Sequence, residues 1–359
     1  MTPAEARALF PVLSRYAYLN AGAFGPLPQP TARVIREQLD EDTELGRGRG
    51  PYFEAMLETR SKLRKALAAL IGSTPENLVV TSSTTDGCNI VLAGLALTPD
   101  DEIVTTDAEH FGLVGPVFTS GARVRVARVQ DRPADEALEL IAAEVTSRTR
   151  LVALSHVLWT TGHVIDVNAL RAQLGVPLLV DGAQSVGSIP VDVGDVDFYT
   201  VSGQKWLCGP DSTGALHVSD VETLRVARPS YFAQESFEPG GAYVARAGAQ
   251  RLDPGWVSVA ALKGLLQSLE LAPDWRYERI RELAARCRDG LLDAGFDVVT
   301  EPGQAGLVSF VPRGDAKEAA ARALERGVVI RNLPTTGWLR ASCGWWNDEE
   351  DVERLVEAL

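Results

Sequence analysis

The chain has 359 residues, 45% of them hydrophobic, and its 48 acidic side chains outnumber 35 Lys and Arg to leave a net charge of −13. At roughly 150 residues per domain, this length predicts about two globular domains with substantial cores. The acidic balance, without any basic block, argues against nucleic acid or an anionic membrane as a partner. The start MTPAEARALF has no apolar signal segment and no stretch of about 18 apolar residues follows, so we expect a cytoplasmic protein.

The cysteines and histidines show none of the spacings typical of metal sites or disulfide frameworks. Cys88, Cys208, Cys287 and Cys343 lie far apart without a CxxC pair, and the four histidines form no HxxxH pair. We expect no metal, and we interpret each cysteine as a small buried side chain.

The first part of the chain alternates predicted helices and strands. Leucines at helical spacing predict a helix over 54–71, which ends where Gly72 tolerates a positive φ. Short buried strands are predicted at 78–81, 102–106, 151–155, 177–181 and 196–201, with helices near 87–97, 134–147 and 167–174. This alternation predicts a mostly parallel sheet covered by helices on both faces.

Beyond about residue 250 the pattern changes to a long helical region followed by shorter elements. These are helices at 257–294 and 315–326 and strands at 307–311, 328–331 and 339–342. The last helix is predicted to begin at Asn347, with Glu350 three residues on as in a capping box. We predict a segment 1–19 that packs on the small domain, a large domain 20–250 and a small α+β domain 251–359.

Polar residues that follow apolar strands mark the expected binding edge, because ligands of open α/β sheets lie beyond the carboxyl ends of the strands. One such segment is TSSTTDG, from Thr81, ahead of a predicted helix. Free amides and hydroxyls at a helix start suit a phosphate, although Ser and Thr there are also ordinary helix caps.

Asp181 and Lys205 follow two other apolar strands, 24 residues apart. A desolvated lysine loses its proton more easily and becomes a nucleophile toward an aldehyde, while an aspartate can hold a pyridinium nitrogen protonated. A structural ion pair between the two side chains explains the same residues equally well.

Six motifs occur in order along nearly the whole chain: YLNAG from Tyr18, TSSTTDGCN from Thr81, EH from Glu109, VDGAQSVG from Val180, SGQKWLCGP from Ser202 and LRAS from Leu339. Together they resemble the class V aminotransferase and cysteine desulfurase group of fold-type-I pyridoxal-phosphate enzymes. The resemblance implies a mainly parallel seven-stranded sheet flanked by helices, a smaller α+β C-terminal domain, pyridoxal 5'-phosphate (PLP) as cofactor and a homodimer.

The resemblance assigns cofactor roles residue by residue. Lys205 carries PLP as a Schiff base and moves the Cα proton, Asp181 pairs with the pyridinium nitrogen, and Gln184 binds the ring hydroxyl oxygen. The phosphate is held by Thr84, Thr85, Ser202 and Gln204, the last of which replaces a frequent histidine of the family.

His110 falls where the family stacks an aromatic ring on the cofactor, and we count it with Lys205 and Asp181 among the expected catalytic residues. The adjacent Phe111 can serve instead, and His110 can also be a helix cap.

Arg340 matches the family's arginine for the substrate carboxylate, and a planar guanidinium suits that role because it binds a carboxylate with two hydrogen bonds. A surface salt bridge is the alternative for Arg340. The loop from Asn20 and Ala21 to Gly22 resembles the one that approaches the substrate. Trp159, or Thr160 beside it, stands where desulfurases have an asparagine near the cofactor.

Two further departures affect the expected reaction. Gly255-Trp256 replaces the Gly-Thr that reaches a neighbouring subunit's phosphate in relatives. The stretch NLPTTGWL between Arg331 and Arg340 has no cysteine and is too short for the mobile loop of the desulfurases. Sulfur transfer through an enzyme persulfide is therefore disfavoured.

The leading interpretation is an aminotransferase-like enzyme that acts on a small amino acid and a keto acid through a Lys205 aldimine. The alternative is a PLP-dependent C–S or β-lyase or a desulfurase-like enzyme, which shares the early steps. A PLP-binding protein without turnover is a third interpretation, which the set Asp181, Gln184, Lys205 and Arg340 argues against.

Overall fold

The computed structural model describes all 359 residues. The helices are α1 (Pro3–Ala8), α2 (Gln29–Leu45), α3 (Gly50–Leu70), α4 (Thr84–Leu95), α5 (Phe111–Thr119), α6 (Ala137–Ala143), α7 (Val167–Gln173), α8 (Val259–Leu271), α9 (Arg276–Asp293), α10 (Ala316–Glu325) and α11 (Glu349–Ala358). None of them combines the length and apolar character that a membrane crossing requires. The strands are β1 (Ala17–Tyr18), β2 (Leu78–Thr81), β3 (Glu102–Thr106), β4 (Arg123–Ala127), β5 (Thr149–Ser155), β6 (Leu178–Asp181), β7 (Phe198–Ser202), β8 (Gly214–Val218), β9 (Gln234–Phe237), β10 (Tyr243–Ala245), β11 (Leu307–Phe310), β12 (Val328–Val329), β13 (Arg331–Leu333) and β14 (Trp338–Ser342).

Seven strands form the main sheet in the order β2-β8-β7-β6-β5-β3-β4. The neighbours from β7 to β4 are parallel, and β8 alone runs antiparallel to both β2 and β7. The predicted mainly parallel seven-stranded sheet is therefore confirmed. β4 and β8 were not predicted, because the sequences RVRVA and GALHV lack the uniform apolar run that marks a central strand.

Alternate residues of each central strand fill two different cores, one on each face of this sheet. In β6, Val180 packs in the cluster that contains Leu154, whereas Leu179 packs in the cluster that contains Leu151. This is the period of two expected when both faces of a strand are buried. The buried strands bring Asp181 and Ser202 to the same edge.

A smaller sheet of order β11-β14-β13 is entirely antiparallel, and β1 pairs in parallel with β12 beside it. Its core contains Leu19, Leu339 and Leu355, so the first strand of the chain packs with the last helix. The domain boundaries at 19/20 and 250/251 remain a prediction.

The predicted helical region 257–294 is two helices that serve different cores. Leu262 and Leu265 of α8 pack with the main sheet, whereas Leu283 of α9 packs with the small sheet. The break falls at Pro273, which cannot donate a helical hydrogen bond.

The predicted capping box at Asn347 and Glu350 is wrong by one residue. The cap of α11 is Asp348, whose side chain accepts a hydrogen bond from Asp351 N at 3.0 Å. The Asn347 side chain instead accepts one from Gly344 N at 2.8 Å, because it closes the turn that precedes the helix.

Candidate active site

A cavity of about 240 Å³ lies beyond the carboxyl ends of β2, β6 and β7. Parallel strands end at the same edge of a sheet, so side chains distant in sequence meet there. Ten of the twelve predicted site residues line the cavity: Thr84, Thr85, His110, Trp159, Asp181, Gln184, Ser202, Gln204, Lys205 and Arg340.

The inner end of the cavity contains a carboxylate and an amine that do not pair with each other. Asp181 is 3% exposed, and its Oδ1 accepts a hydrogen bond from Ala183 N at 2.9 Å. No ion pair joins Asp181 to Lys205, which removes the structural interpretation of these two residues. Burial lowers the pKa of the Lys205 amine to about 8, against the opposing effect of Asp181. Its neutral, nucleophilic form is therefore accessible near neutral pH.

A second end of the cavity presents hydroxyl groups at the start of α4. Ser83 is the helix cap, because its side chain accepts a hydrogen bond from Asp86 N at 3.1 Å. Thr84 and Thr85 are therefore not needed as caps, and both line the cavity at the start of the helix. Such a group of donors at a helix start suits a phosphate.

Gln204 completes this hydroxyl-lined end. Its Oε1 accepts a hydrogen bond from Ser202 Oγ at 2.8 Å, which leaves the side-chain amide group of Gln204 to donate. An amide donor thus stands where relatives often have a histidine.

His110 and Trp159 form one wall of the cavity. Their ring centroids lie 5.1 Å apart and the rings meet edge to face, at 85°. His110 is also the cap of α5, since its Nδ1 accepts a hydrogen bond from Gly112 N at 3.0 Å. Phe111 is 75% exposed and does not line the cavity, so the structure favours His110 as the stacking ring.

Two arginines form the opposite end, of which the sequence analysis assigned a role only to Arg340. Arg331 of β13 and Arg340 of β14 are directly opposite in the antiparallel register, so both side chains reach the same cavity. Arg340 is 1% exposed and donates to Trp159 O at 2.7 Å. Burial and the neighbouring Arg331 lower the pKa of Arg340, although a guanidinium stays charged at neutral pH. No sequence signal marked Arg331, because its position in the cavity follows from the strand register.

The N-terminal loop reaches the cavity at Gly22, the last residue of the predicted segment 20–22. Asn20 bridges to Ser342 and Ala21 is fully buried, and neither lines the cavity, whose wall begins at Gly22. A Cβ at Gly22 would lie 2.6 Å from Arg340 Nη2, so the close approach requires glycine.

Two other features of the structure do not belong to this site. All four cysteines are free and buried, and neither Cys208 nor Cys343 lines the cavity. A larger groove of about 720 Å³ between α9 and α11 is lined mostly by charged side chains such as the pair Arg279–Glu349. It contains none of the predicted site residues.

Comparison with known proteins decides the family. Residues 17–355 match the family described as aminotransferase class-V. The chain belongs to the class-V aminotransferase family. One class-V relative is isopenicillin N epimerase of Streptomyces clavuligerus, 30% identical over 95% of this chain and 93% of the relative. Another is the cysteine desulfurase CsdA of Escherichia coli, 28% identical over 99% of this chain and 96% of the relative.

Solved structures of C-DES superimpose over nearly the whole chain. A variant with glycine covalently linked to the PLP cofactor has a TM-score of 0.92 at 28% identity, and covers 98% of both chains. A complex described as the cystine C–S lyase C-DES with its reaction product cysteine persulfide has a TM-score of 0.91 at 28% identity, covering 97% of this chain and 98% of that one.

This class-V chain is a PLP-dependent enzyme. The residues present fit three groups of the cofactor: its ring nitrogen, its aldehyde and its phosphate. Gln184, predicted for the ring hydroxyl, donates from Nε2 to Gly22 O at 2.8 Å and accepts at Oε1 from Trp206 Nε1 at 3.0 Å. Asp181 is a buried carboxylate that forms no salt bridge, which suits a protonated ring nitrogen. Lys205 offers an amine to the aldehyde, and the hydroxyls of Thr84 and Thr85 face the cavity at a helix start where a phosphate fits.

Proposed function

We propose that the enzyme is a PLP-dependent C–S lyase that acts on a sulfur-containing amino acid with two carboxylates, such as cystine. The observation that carries this proposal is the pair Arg331 and Arg340 in one cavity. One guanidinium suffices for the α-carboxylate of an ordinary amino acid. A second one suits a substrate with a second acidic group, and cystine has its second carboxylate beyond the disulfide.

The relatives support the lyase alternative better than the aminotransferase interpretation. They include desulfurases, an epimerase and a C–S lyase, and the C–S lyase has a TM-score above 0.9. A desulfurase that stores sulfur on its own cysteine is disfavoured, because all four cysteines are buried. Burial also raises the pKa of Cys208, which keeps it a thiol.

When bound, PLP supplies an electron sink for the bonds at the substrate Cα. Arg340 binds the α-carboxylate and Arg331 the distal one, which together orient the Cα–H bond. Lys205 takes the Cα proton, and Asp181 keeps the ring nitrogen protonated. The Cβ–S bond then breaks and its electron pair leaves with sulfur, so that cystine and one water yield cysteine persulfide, pyruvate and ammonia.

Product analysis tests this proposal. The purified holoenzyme is incubated with cystine, cysteine and a panel of amino donors, and pyruvate, sulfane sulfur and the cofactor spectrum are followed. We expect pyruvate and sulfane sulfur in equal amounts from cystine, without conversion of the cofactor to its pyridoxamine form. That conversion, with a keto acid matching each donor, would instead establish transamination, and inversion at Cα without pyruvate would establish epimerisation.

We also propose that the enzyme is a homodimer. Trp256 is 66% exposed and stacks against the exposed Tyr231, beside Phe53 and Phe232. An exposed aromatic group of this kind is typical of a protein interface. Light scattering of the active holoenzyme tests the assembly, and a fully active monomer would contradict it.

A further inference from the structure

The turn that follows β6 rests on the side chain of Tyr199, in the middle of β7. This turn, residues 181–185, carries Asp181 and Gln184 into the cavity. Tyr199 is fully buried. A Cβ built on Gly182 would overlap Cε1 of Tyr199 and the carbonyl oxygen of Thr200, so the backbone of the turn lies directly against the tyrosine ring.

A chain of hydrogen bonds connects Tyr199 to the same turn. Its Oη lies 2.6 Å from Ser185 Oγ and 2.6 Å from His156 Nδ1. Ser185 Oγ donates to Gly182 O at 3.1 Å. One arrangement of the protons satisfies all three contacts: Ser185 donates to Gly182 O, Tyr199 donates to Ser185, and His156 donates from Nδ1 to Tyr199.

His156 holds the beginning of the turn as well. Its backbone N donates to Asp181 O at 3.1 Å. The turn is thus attached to His156 at both ends, through the backbone at Asp181 and through the Tyr199 hydroxyl at Ser185.

The direction of this chain of hydrogen bonds does not reverse over the working pH range. Burial lowers the pKa of His156 to about 4, opposed by Asp166, and burial raises the pKa of Tyr199, with Asp181 acting in the same direction. Both side chains are therefore neutral between about pH 5 and 9.

We propose that Tyr199 is a positioning residue for the cofactor: its ring and hydroxyl, linked to His156 and Ser185, hold the 181–185 turn so that Asp181 meets the ring nitrogen. The proposal rests on the assignment of Asp181 to that nitrogen and is independent of the lyase reaction. Tyr199 itself does not line the cavity.

The test uses the Tyr199→Phe holoenzyme, which keeps the ring under Gly182 and removes only the hydroxyl. Two measurements are made, the cofactor dissociation constant and the pH titration of the bound cofactor's absorbance. Since a hydrogen bond of this kind contributes a factor of roughly three to ten, we expect the dissociation constant to rise about three- to tenfold. We also expect a displaced titration midpoint, and a lower kcat at nearly constant KM.

Ser73→Ala is a matched control. Ser73 Oγ lies 2.7 Å from His217 Nδ1, so this variant also removes a hydroxyl bonded to a buried histidine, but neither residue lines the cavity. It should lose stability while keeping the wild-type dissociation constant and titration midpoint.

Ser185→Ala interrupts the chain of hydrogen bonds without touching the tyrosine ring, and it decides the question if Tyr199→Phe does not fold. Its dissociation constant and midpoint should change in the same direction as in Tyr199→Phe. Wild-type values in both variants, with a stability loss like that of Ser73→Ala, would overturn the proposal. An unchanged midpoint in Asp181→Asn would instead show that the assignment of Asp181 is at fault.

Discussion

The two ends of the cavity are built in different ways. The end that fits the cofactor consists of side chains at the carboxyl ends of single strands of the main sheet, with Asp181 as the last residue of β6 and Lys205 three residues after β7. The substrate end consists of Arg331 and Arg340, which come together only through the pairing of β13 with β14. With the proposed assignments, cofactor binding and substrate choice belong to different sheets, and we expect them to be separable by mutation.

The largest effect is expected from Lys205→Ala. Only an amine can form the covalent bond to the cofactor aldehyde, so the corresponding visible absorbance and all turnover should be lost. Absorbance spectra and pyruvate release measure this, with thermal unfolding as the control for an intact fold. Retention of the imine absorbance near neutral pH would refute the assignment.

The second-largest effect is expected from Asp181→Asn. Loss of the carboxylate lets the ring nitrogen lose its proton, and loss of such an electrostatic contribution costs about a hundredfold or more in kcat. The cofactor dissociation constant, measured in parallel, should change much less than the rate. A rate within a few-fold of the wild type would contradict the role.

Arg340→Lys tests the substrate end alone. Lysine keeps the charge but cannot make the paired hydrogen bonds to a carboxylate, so kcat/KM for amino acids should fall about tenfold to several hundredfold. The spectrum of the bound cofactor should not change. A simple amine without a carboxylate should be affected far less, and equal losses for both would mean that Arg340 does not bind the carboxylate.

Arg331→Met should have a smaller and selective effect. We expect kcat/KM for cystine to fall about tenfold, as for loss of one charged hydrogen bond, while S-methylcysteine, which has one carboxylate, is nearly unaffected. Competition between the two substrates measures this ratio directly. An equal decrease for both substrates would mean that Arg331 does not bind a second carboxylate of the substrate.

The smallest expected effect is on the pH dependence of PLP uptake by Lys205, which Arg331 at the substrate end influences. Because the pKa of Lys205 is lowered to about 8, half of the apoenzyme amine is in its reactive neutral form near that pH, so the rate of PLP uptake should be half-maximal near pH 8 and level off above it. Arg331 contributes to this lowering, so Arg331→Met should move the midpoint upward. A midpoint near that of an ordinary lysine in the wild type would contradict the assigned environment.

The sequence predicted much of the site because its motifs directly follow apolar strands. The run LLVD ends at Asp181 and FYTVS ends at Ser202, so strand and site residue are adjacent in the chain. Of the predicted loop 20–22, only Gly22 lines the cavity, and its packing against Arg340 is visible only in the structure.

Taken alone, the sequence determined the family, the cofactor and the alternating α/β architecture, because local periodicity and ordered motifs carry that information. Tertiary structure decided which residues meet across strands. The pairing of Arg331 with Arg340 and the hydrogen-bond chain from His156 through Tyr199 to Ser185 join residues that are remote or unremarkable in sequence. Strand register and burial bring such residues into contact, and neither is encoded in a local pattern.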